Sequence, residues 1–279
     1  MLLRILSTAF WSVLLIGVAT GIERAIRRNQ RPGPTLVFNI CYAAVMAMFA
    51  ALVQPITARE GEWVKTTLHL TSIPLPSHGL GIVLSATVVL ACEDLIFYWV
   101  HRAQHHFGWL WAMHSFHHSD DDLNAATAFR HFWLEKPGWL LVVYVPLGLI
   151  FQISAPAAAL YGFMFQFFAF FPHMNLRIEL GPLTPFVMGP QVHRIHHSIY
   201  REHFDTNFAG AFPLWDVVFG TYHAPSRGEF PSTGIPSLPG KPTVGQAVTW
   251  PLWSRRTAAQ LPNVESATIS VVETERTAG

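Results

Sequence analysis

The sequence predicts an all-α integral membrane protein, a bundle of about four to five apolar helices with a histidine-rich helical cap on its cytoplasmic side. The 279 residues are 51% hydrophobic and 13% charged, whereas a soluble domain carries about 25% charged residues. Five apolar stretches punctuate the chain, and eight of its 15 histidines form three short clusters. The composition indicates lipid contact, and the absence of a basic stripe gives no sign of nucleic-acid binding.

The first three apolar stretches are long enough to cross a bilayer, which takes about 20 apolar residues. They cover Ile5–Ile22, Leu36–Val53 and Leu80–Val100. The last two, Gly138–Ser154 and Ala155–Phe171, are slightly shorter and meet at a Ser-Ala-Pro junction. These two predict a helical hairpin, which need not cross the bilayer completely.

Arginines after the first stretch predict the orientation. Arg24, Arg27, Arg28 and Arg31 follow it without a small-residue cleavage site, which favours a retained anchor over a signal peptide. Short basic loops remain on the cytoplasmic side of a membrane. Counting the crossings from this loop therefore predicts that all three histidine clusters lie on the cytoplasmic side.

Composition also divides the chain into three parts. We expect anchor helices and an outer loop over residues 1–79 and a catalytic domain over residues 80–223. Residues 224–279 begin rich in proline, glycine and serine and end polar, which predicts a flexible tail.

The histidine clusters have the spacing of metal ligands on helices. Positions i, i+3 and i+4 share one helix face, and imidazole is the commonest protein ligand for transition metals. Gly108 predicts a break between the helices that carry the first two clusters. Eight or more imidazoles suit two ions with about five ligands each, and iron, copper and zinc all accept such donors. The clusters comprise His101 and His105; His114, His117 and His118; and His193, His196 and His197.

A carboxylate lies on the same predicted helix stripe as the first cluster. Asp94, Tyr98, His101 and His105 are spaced four, three and four residues apart. An ionisable group within a membrane helix is usually functional or paired. We therefore predict that Asp94 accepts the second ring N–H of a ligating histidine, with a polar pocket or an arginine partner as the alternative.

Further motifs follow in order. Phe171-Pro172-His173-Met174-Asn175 ends the predicted hairpin, and Asp205-x-Asn207-Phe208 and Trp215-Asp216-x-x-Phe219-Gly220-Thr221-Tyr222 close the segment. The clusters stand in Asp94-x-x-x-Tyr98-Trp99-x-His101-Arg102-x-x-His105, Trp111-x-x-His114-x-x-His117-His118 and Pro190-x-x-His193-Arg194-x-His196-His197-Ser198. Together they resemble the sterol desaturase and fatty acid hydroxylase superfamily of membrane di-iron oxygenases. The chain departs from that family at Phe132, where members often have histidine, although His131 is adjacent.

The resemblance implies a lipid hydroxylase or desaturase with a di-iron centre. A sterol, fatty acyl or related lipid would be oxidised with dioxygen and two external electrons. The chain carries no nucleotide-binding or haem-binding motif, so a ferredoxin, a b-type cytochrome or a reductase would supply the electrons. The implied iron ligands are His101, His105, His114, His117, His118, His173, His193, His196 and His197, with His203 as a further candidate.

Two other classes of protein also place histidines in membranes. A membrane electron carrier would hold haem through single histidines that face each other, not through triplets at helix ends. A metal transporter would hold its ligands near the bilayer midplane, whereas these clusters begin where the apolar stretches end. Haem content and metal flux would distinguish these alternatives from an oxygenase.

Overall fold

The computed structural model of the protein is mostly helical, and its described residues include only two short strands. The structure describes residues 2–26, 35–69, 71–238 and 240–254. Short 3₁₀ turns connect several helices, at Ala125–Phe129, Phe171–His173, Gly181–Leu183 and Arg201–His203. The α-helices are α1 (Leu2–Ile26), α2 (Leu36–Thr67), α3 (Leu80–His106), α4 (Gly108–His118), α5 (Glu135–Trp139), α6 (Val145–Ile150), α7 (Ala155–Phe170), α8 (Pro190–His196), α9 (Leu214–Phe219) and α10 (Val244–Val248).

The first two helices pack against each other and against the 3₁₀ turn Ala125–Phe129. Ile16 of α1 and Ala43 of α2 are fully buried in this contact, together with Ala125 of the turn. Helix α2 continues to Thr67, well beyond the apolar stretch that predicted it, and includes the more polar residues that follow that stretch. Helices α1 and α2 are thereby attached to the 3₁₀ turn that follows the second histidine cluster.

Two helical segments of the described residues are long and apolar enough to cross a membrane, Leu80–His106 and Ala155–His173. A third, Leu36–Phe49, is apolar but shorter. The predicted bundle of four to five spanning helices is thus matched in its helical character and in two candidate spans. Three of the arginines that predicted the orientation, Arg27, Arg28 and Arg31, lie outside the described residues.

The segment predicted to form a hairpin is helical in both arms, irregular in the first and regular in the second. Its first arm runs through α5, a π-helical turn at Leu140–Tyr144, and α6; Pro146 cannot donate a backbone hydrogen bond, so a regular pattern cannot pass through it. At the tip, strand β2 (Phe151–Gln152) pairs in parallel with strand β1 (Ile73–Pro74). Ser154 then caps α7 by accepting a hydrogen bond from the amide of Ala157.

The segment after residue 223 packs on the fold, which corrects the prediction of a flexible tail for residues 224–238 and 240–254. Trp250 is fully buried, and its indole N–H donates to Ser115 Oγ in α4 at 3.0 Å. Arg130, also fully buried, donates to the carbonyl of Gly240. The proline and glycine content of the segment gave no indication of these two contacts. Residues 255–279 lie outside the described part of the chain.

Candidate metal centre

Nine histidines from four segments converge where α3 and α7 end. They form two groups, and within each group the candidate ligand atoms lie within 4.8 Å of one another. All are buried except His105, which is half-buried. The five-histidine group is His101, His105, His114, His118 and His196, and the four-histidine group is His117, His173, His193 and His197.

The break between α3 and α4 brings the first two clusters face to face. Phe107 adopts an extended conformation (φ −93°, ψ 117°), and α4 begins at Gly108, as the sequence predicted. The rings of His101 and His114, on opposite sides of this break, lie 4.8 Å apart. A short connection therefore turns two sequence clusters into one group of donors.

In the five-histidine group, backbone carbonyls fix the tautomers. His101 Nδ1 donates to the carbonyl of Phe208 at 2.6 Å, and His196 Nδ1 donates to that of Thr206 at 2.7 Å. Because a carbonyl only accepts, each ring keeps its proton on Nδ1 and presents the lone pair of Nε2. The Nε2 atoms of His101, His114 and His196 are buried without a hydrogen-bond partner in the described structure, an arrangement that fits a bound cation.

In the four-histidine group, the Nε2 atoms point at one another. The separations are 2.9 Å from His173 to His193, 3.1 Å from His193 to His197 and 3.3 Å from His117 to His173. Two nitrogens that each lie about 2.1 Å from one ion are about 3.0–3.4 Å apart at octahedral or tetrahedral angles. These separations fit imidazoles gathered around a single metal.

The two groups are adjacent. The rings of His118 and His197, one from each group, stack with centroids 4.3 Å apart and an interplanar angle of 18°. The rings of His114 and His117 lie 5.3 Å apart. The donor set therefore fits two neighbouring transition-metal ions.

A buried carboxylate that the sequence did not single out lies behind the five-histidine group. Glu135 Oε2 lies 3.3 Å from His114 Nδ1 and 3.4 Å from His131 Nδ1, and it accepts a hydrogen bond from Gln104 Nε2 at 2.8 Å. Burial alone would raise the pKa of Glu135, but the neighbouring rings of His114 and His131 hold that pKa below its ordinary value. Glu135 therefore carries the role that the sequence assigned to Asp94.

Asp94 instead holds backbone. Its carboxylate accepts hydrogen bonds from the amides of Gly210, Ala211 and Phe212 at 2.7, 2.9 and 2.8 Å. The prediction that it accepts a histidine N–H is thus not matched in the described structure. The backbone of residues 210–212 passes directly over this face of α3, so its amides occupy the oxygens of Asp94.

A second carboxylate completes the support of this loop. Asp216 accepts hydrogen bonds from the amides of Phe208 and Ala209 at 2.7 and 3.0 Å and from Thr221 Oγ1 at 2.8 Å. The loop between these two carboxylates carries the Phe208 carbonyl that orients His101. The closing motifs of the sequence therefore position a histidine of the five-histidine group through the backbone.

The histidines outside the two groups have other partners. His203 Nε2 lies 3.0 Å from Glu229 Oε1 and its Nδ1 lies 2.9 Å from Ser198 Oγ, and His203 groups with Glu229 and His223. His131 stacks on His117 with ring centroids 4.5 Å apart. The structure thus separates His203 from the nine histidines and brings His131 next to them.

Burial favours the neutral form of the grouped histidines that lie outside the candidate spans. It lowers the pKa of His114 to about 4, although the hydrogen bond that His114 donates to Glu135 opposes this effect. The same cause lowers the pKa of the other grouped histidines outside the candidate spans, with neighbouring histidines adding to it: His117, His118, His193, His196 and His197. Neutral imidazoles are the form that binds metal.

Cavities reach the centre from two sides. A cavity of about 120 Å³ is lined mainly by apolar side chains of α3, α5 and α7, and it contacts both histidine groups through His101 and His117. A more polar pocket of about 400 Å³ lies against His105, Trp111 and Arg201. An apolar molecule and a polar one could thus approach the same centre from different directions.

The histidine-bearing segment is similar to a known protein family and to several characterised proteins. Residues 86–221 match the family model described as fatty acid hydroxylase. The chain is 37% identical to human alkylglycerol monooxygenase over 133 residues, which cover 47% of this chain and 29% of that protein. It is 24% identical to ornithine lipid hydroxylase OlsE of Rhizobium tropici over 265 residues, 82% of this chain and 79% of that protein.

More distant similarity extends to a third activity. The chain is 26% identical over 155 residues to the very-long-chain aldehyde decarbonylase GL1-6 of Oryza sativa subsp. indica, covering 50% of this chain and 23% of that protein. The chain spans less than a third of the length of the alkylglycerol monooxygenases it matches. No solved structure matches it significantly.

Proposed function

Because its residues 86–221 belong to the sterol desaturase and fatty acid hydroxylase superfamily, we propose that this protein is a membrane-bound di-iron oxygenase that hydroxylates or desaturates a lipid. The observation that carries the proposal is the convergence of nine histidines in two adjacent groups beside an apolar cavity. The relatives named above include a monooxygenase and a lipid hydroxylase. We favour hydroxylation, in agreement with both.

The two histidine groups would each hold one iron ion. Five imidazoles would serve one ion and four the other, and all of these donors are buried except the half-buried His105. When bound, the two irons would reduce dioxygen with two external electrons and enable attack on a C–H bond. The protein's contribution is to orient the imidazoles: Glu135 and the carbonyls of Thr206 and Phe208 hold the Nδ1 protons of three rings.

The apolar cavity would receive the lipid. Phe97, Val143 and Phe168 contribute to its wall, and His101, His117 and His173 stand at its inner end. Apolar walls exclude water from the reacting position and favour burial of a hydrocarbon chain. Dioxygen and protons could arrive through the polar pocket beside His105 and Trp111.

We propose that the histidine groups lie at the cytoplasmic surface. Two candidate spans, Leu80–His106 and Ala155–His173, both end at the centre, and the arginine-rich loop after the first apolar stretch indicates that this end is cytoplasmic. Residues 1–79 would be the anchor and residues 80–223 the catalytic domain. A ferredoxin, a b-type cytochrome or a reductase would then deliver electrons from the same side.

The donor arrangement argues against the two alternative classes. Haem ligation requires one or two axial imidazoles with room for a macrocycle between them, whereas here the Nε2 atoms of His173 and His193 are 2.9 Å apart. A transport site would lie between helices near the midplane. The two groups lie at helix ends.

Lipid mass spectrometry tests this function. A strain that carries the gene is compared with its deletion strain, complemented by the wild type or by H117A. We expect a lipid that differs by one oxygen, or by two hydrogens for desaturation, only with the wild type. Identical lipid profiles in all strains, with the protein expressed and its metal bound, would refute the proposal.

A further inference from the structure

A lysine faces the apolar cavity, and the described residues offer it no counter-ion. Lys136, in α5, is half-buried and lines the cavity. Its ammonium lies 5.9 Å from the ring centroid of Phe129 and 5.7 Å from that of Trp139. Within the described part of the chain it forms no hydrogen bond or ion pair. Aromatic faces stabilise a cation by about 0.5–2 kcal/mol, less than a carboxylate partner would.

A second donor in the same place also has no acceptor. The indole Nε1 of Trp139 is buried and unpaired among the described residues, although Trp139 lines the same cavity. Leaving a buried donor unpaired costs about 1–3 kcal/mol. Two donors on successive turns of α5, one of them charged, therefore need an acceptor that this part of the chain does not supply.

The carboxylates of the cavity do not fill this need. Glu93 Oε2 accepts from the hydroxyl of Tyr161 at 2.8 Å, and Asp94 is saturated by three backbone amides. Glu135 precedes Lys136 in sequence, but its oxygens accept from the groups behind the metal centre. Among the described residues, Lys136 is thus a charge of the cavity wall without a charged partner.

The donors lie close to the centre. The ring of Trp139 is 5.1 Å from that of His131, which in turn stacks on His117 at 4.5 Å. A molecule held by Lys136 and Trp139 would therefore occupy the same cavity as the hydrocarbon that is oxidised.

We infer that Lys136 and Trp139 form an anion-binding subsite, and that the substrate is a lipid bearing a carboxylate or a phosphate. This inference rests on the proposed function, because it identifies the substrate of the same cavity. The ammonium would bind the anionic oxygen directly, and the indole N–H would donate to a second oxygen. Burial lowers the pKa of Lys136 while Glu135 opposes that effect, so a bound anion would also favour the protonated lysine.

Equilibrium binding tests the subsite without turnover. Metal-loaded protein in non-ionic detergent is titrated with oleate, dioleoyl phosphatidate and oleyl alcohol, the last being the uncharged control. We expect at least one anion to bind about tenfold more tightly than the alcohol, since a charge-assisted hydrogen bond contributes about 1.5–3 kcal/mol. Preference for oleate or phosphatidate identifies the carboxylate or the phosphate as the recognised group.

Variants assign the preference to these residues. K136M should lose the tenfold preference and leave alcohol binding unchanged, whereas K136R should retain the preference. W139F should weaken anion binding about twofold to tenfold, as expected for one hydrogen bond. K241M, at an exposed lysine, is the matched control and should bind as the wild type does.

Two results would overturn the inference: equal affinity of the wild type for the alcohol and both anions, or an undiminished anion preference in K136M. If K136M loses its metal ions, W139F decides, and unchanged anion binding there also overturns it. The outcome is separable from that of the proposed function. Intact anion preference without lipid oxidation would refute the oxygenase only, and oxidation without anion preference would refute the subsite only.

Discussion

Replacing Glu135 by glutamine tests how the protein orients its metal ligands. The carboxylate is 4% exposed and receives donors on both oxygens. Oε1 accepts from the amide of Phe132 at 2.9 Å, and Oε2 faces Gln104 and two histidines. Glutamine keeps the shape of the side chain but turns one acceptor into a donor. In either orientation of its amide, a donor would face a donor.

The size of the effect follows from these contacts. A hydrogen bond to a charged group contributes about 1.5–3 kcal/mol, and loss of a partner behind a metal ligand lowers metal affinity about tenfold to hundredfold. The distances to His114 and His131 are long, 3.3 and 3.4 Å, so we expect the lower part of that range. His114 belongs to the five-histidine group, so this group should weaken while the four-histidine group retains its ion.

The assay is metal analysis after dialysis against a graded series of chelator concentrations. E135Q should lose one of its two ions at a chelator concentration about tenfold lower than the wild type requires. E229Q is the matched control, because Glu229 contacts His203, outside both groups, at 3.0 Å. Loss of both ions together in E135Q, or wild-type retention of both, would refute the reasoning that links this carboxylate to one group.

Three further predictions concern residues around the centre. D94A should lower the free energy of unfolding by about 3–5 kcal/mol, because three backbone amides lose their charged acceptor; an unchanged thermal transition would contradict this. H203A should retain wild-type metal content, since its partners are Ser198 and Glu229; loss of one ion would identify it as a ligand. Burial raises the pKa of Asp216 to about 6, so the folded state binds more protons between about pH 4 and 6. Stability should therefore fall by up to about 3 kcal/mol as pH rises through this window, and D216N should lose that dependence; equal slopes in both proteins would contradict it.

The sequence predicted the elements of the centre well because helical spacing is a local property. His101 and His105 share a face of α3 whatever surrounds them, and the break at Gly108 followed from one glycine. The resemblance to a known family then identified His173 as a candidate ligand, although this isolated histidine belongs to no helical repeat in the sequence. Which histidines share a group could not be predicted, because His117 and His118 are neighbours in sequence yet belong to different groups.

The roles of the carboxylates depended on tertiary contacts that periodicity does not encode. Asp94 lies on the predicted stripe of α3, but the loop at residues 210–212 crosses that stripe and takes its oxygens. Glu135 had no pattern to mark it, since it stands in an irregular arm of the hairpin. The sequence does contain one signal: Glu135 is the fourth residue after His131, and their side chains lie 3.4 Å apart.

The tail illustrates the opposite error. Proline, glycine and serine are frequent in disordered segments, and residues 224–243 are rich in them. A single large side chain outweighs that composition here, because Trp250 fills a fully buried position between α4 and its neighbours. Composition averages over a segment, whereas attachment depends on one or two anchors.

Iron content is the most direct test of the account. Protein purified after expression with iron should hold two ions per chain, and H117A and H196A, one from each histidine group, should each lose bound iron together with lipid oxidation. Full iron content in both variants would contradict the assignment of these histidines as ligands, and with it the two-ion centre.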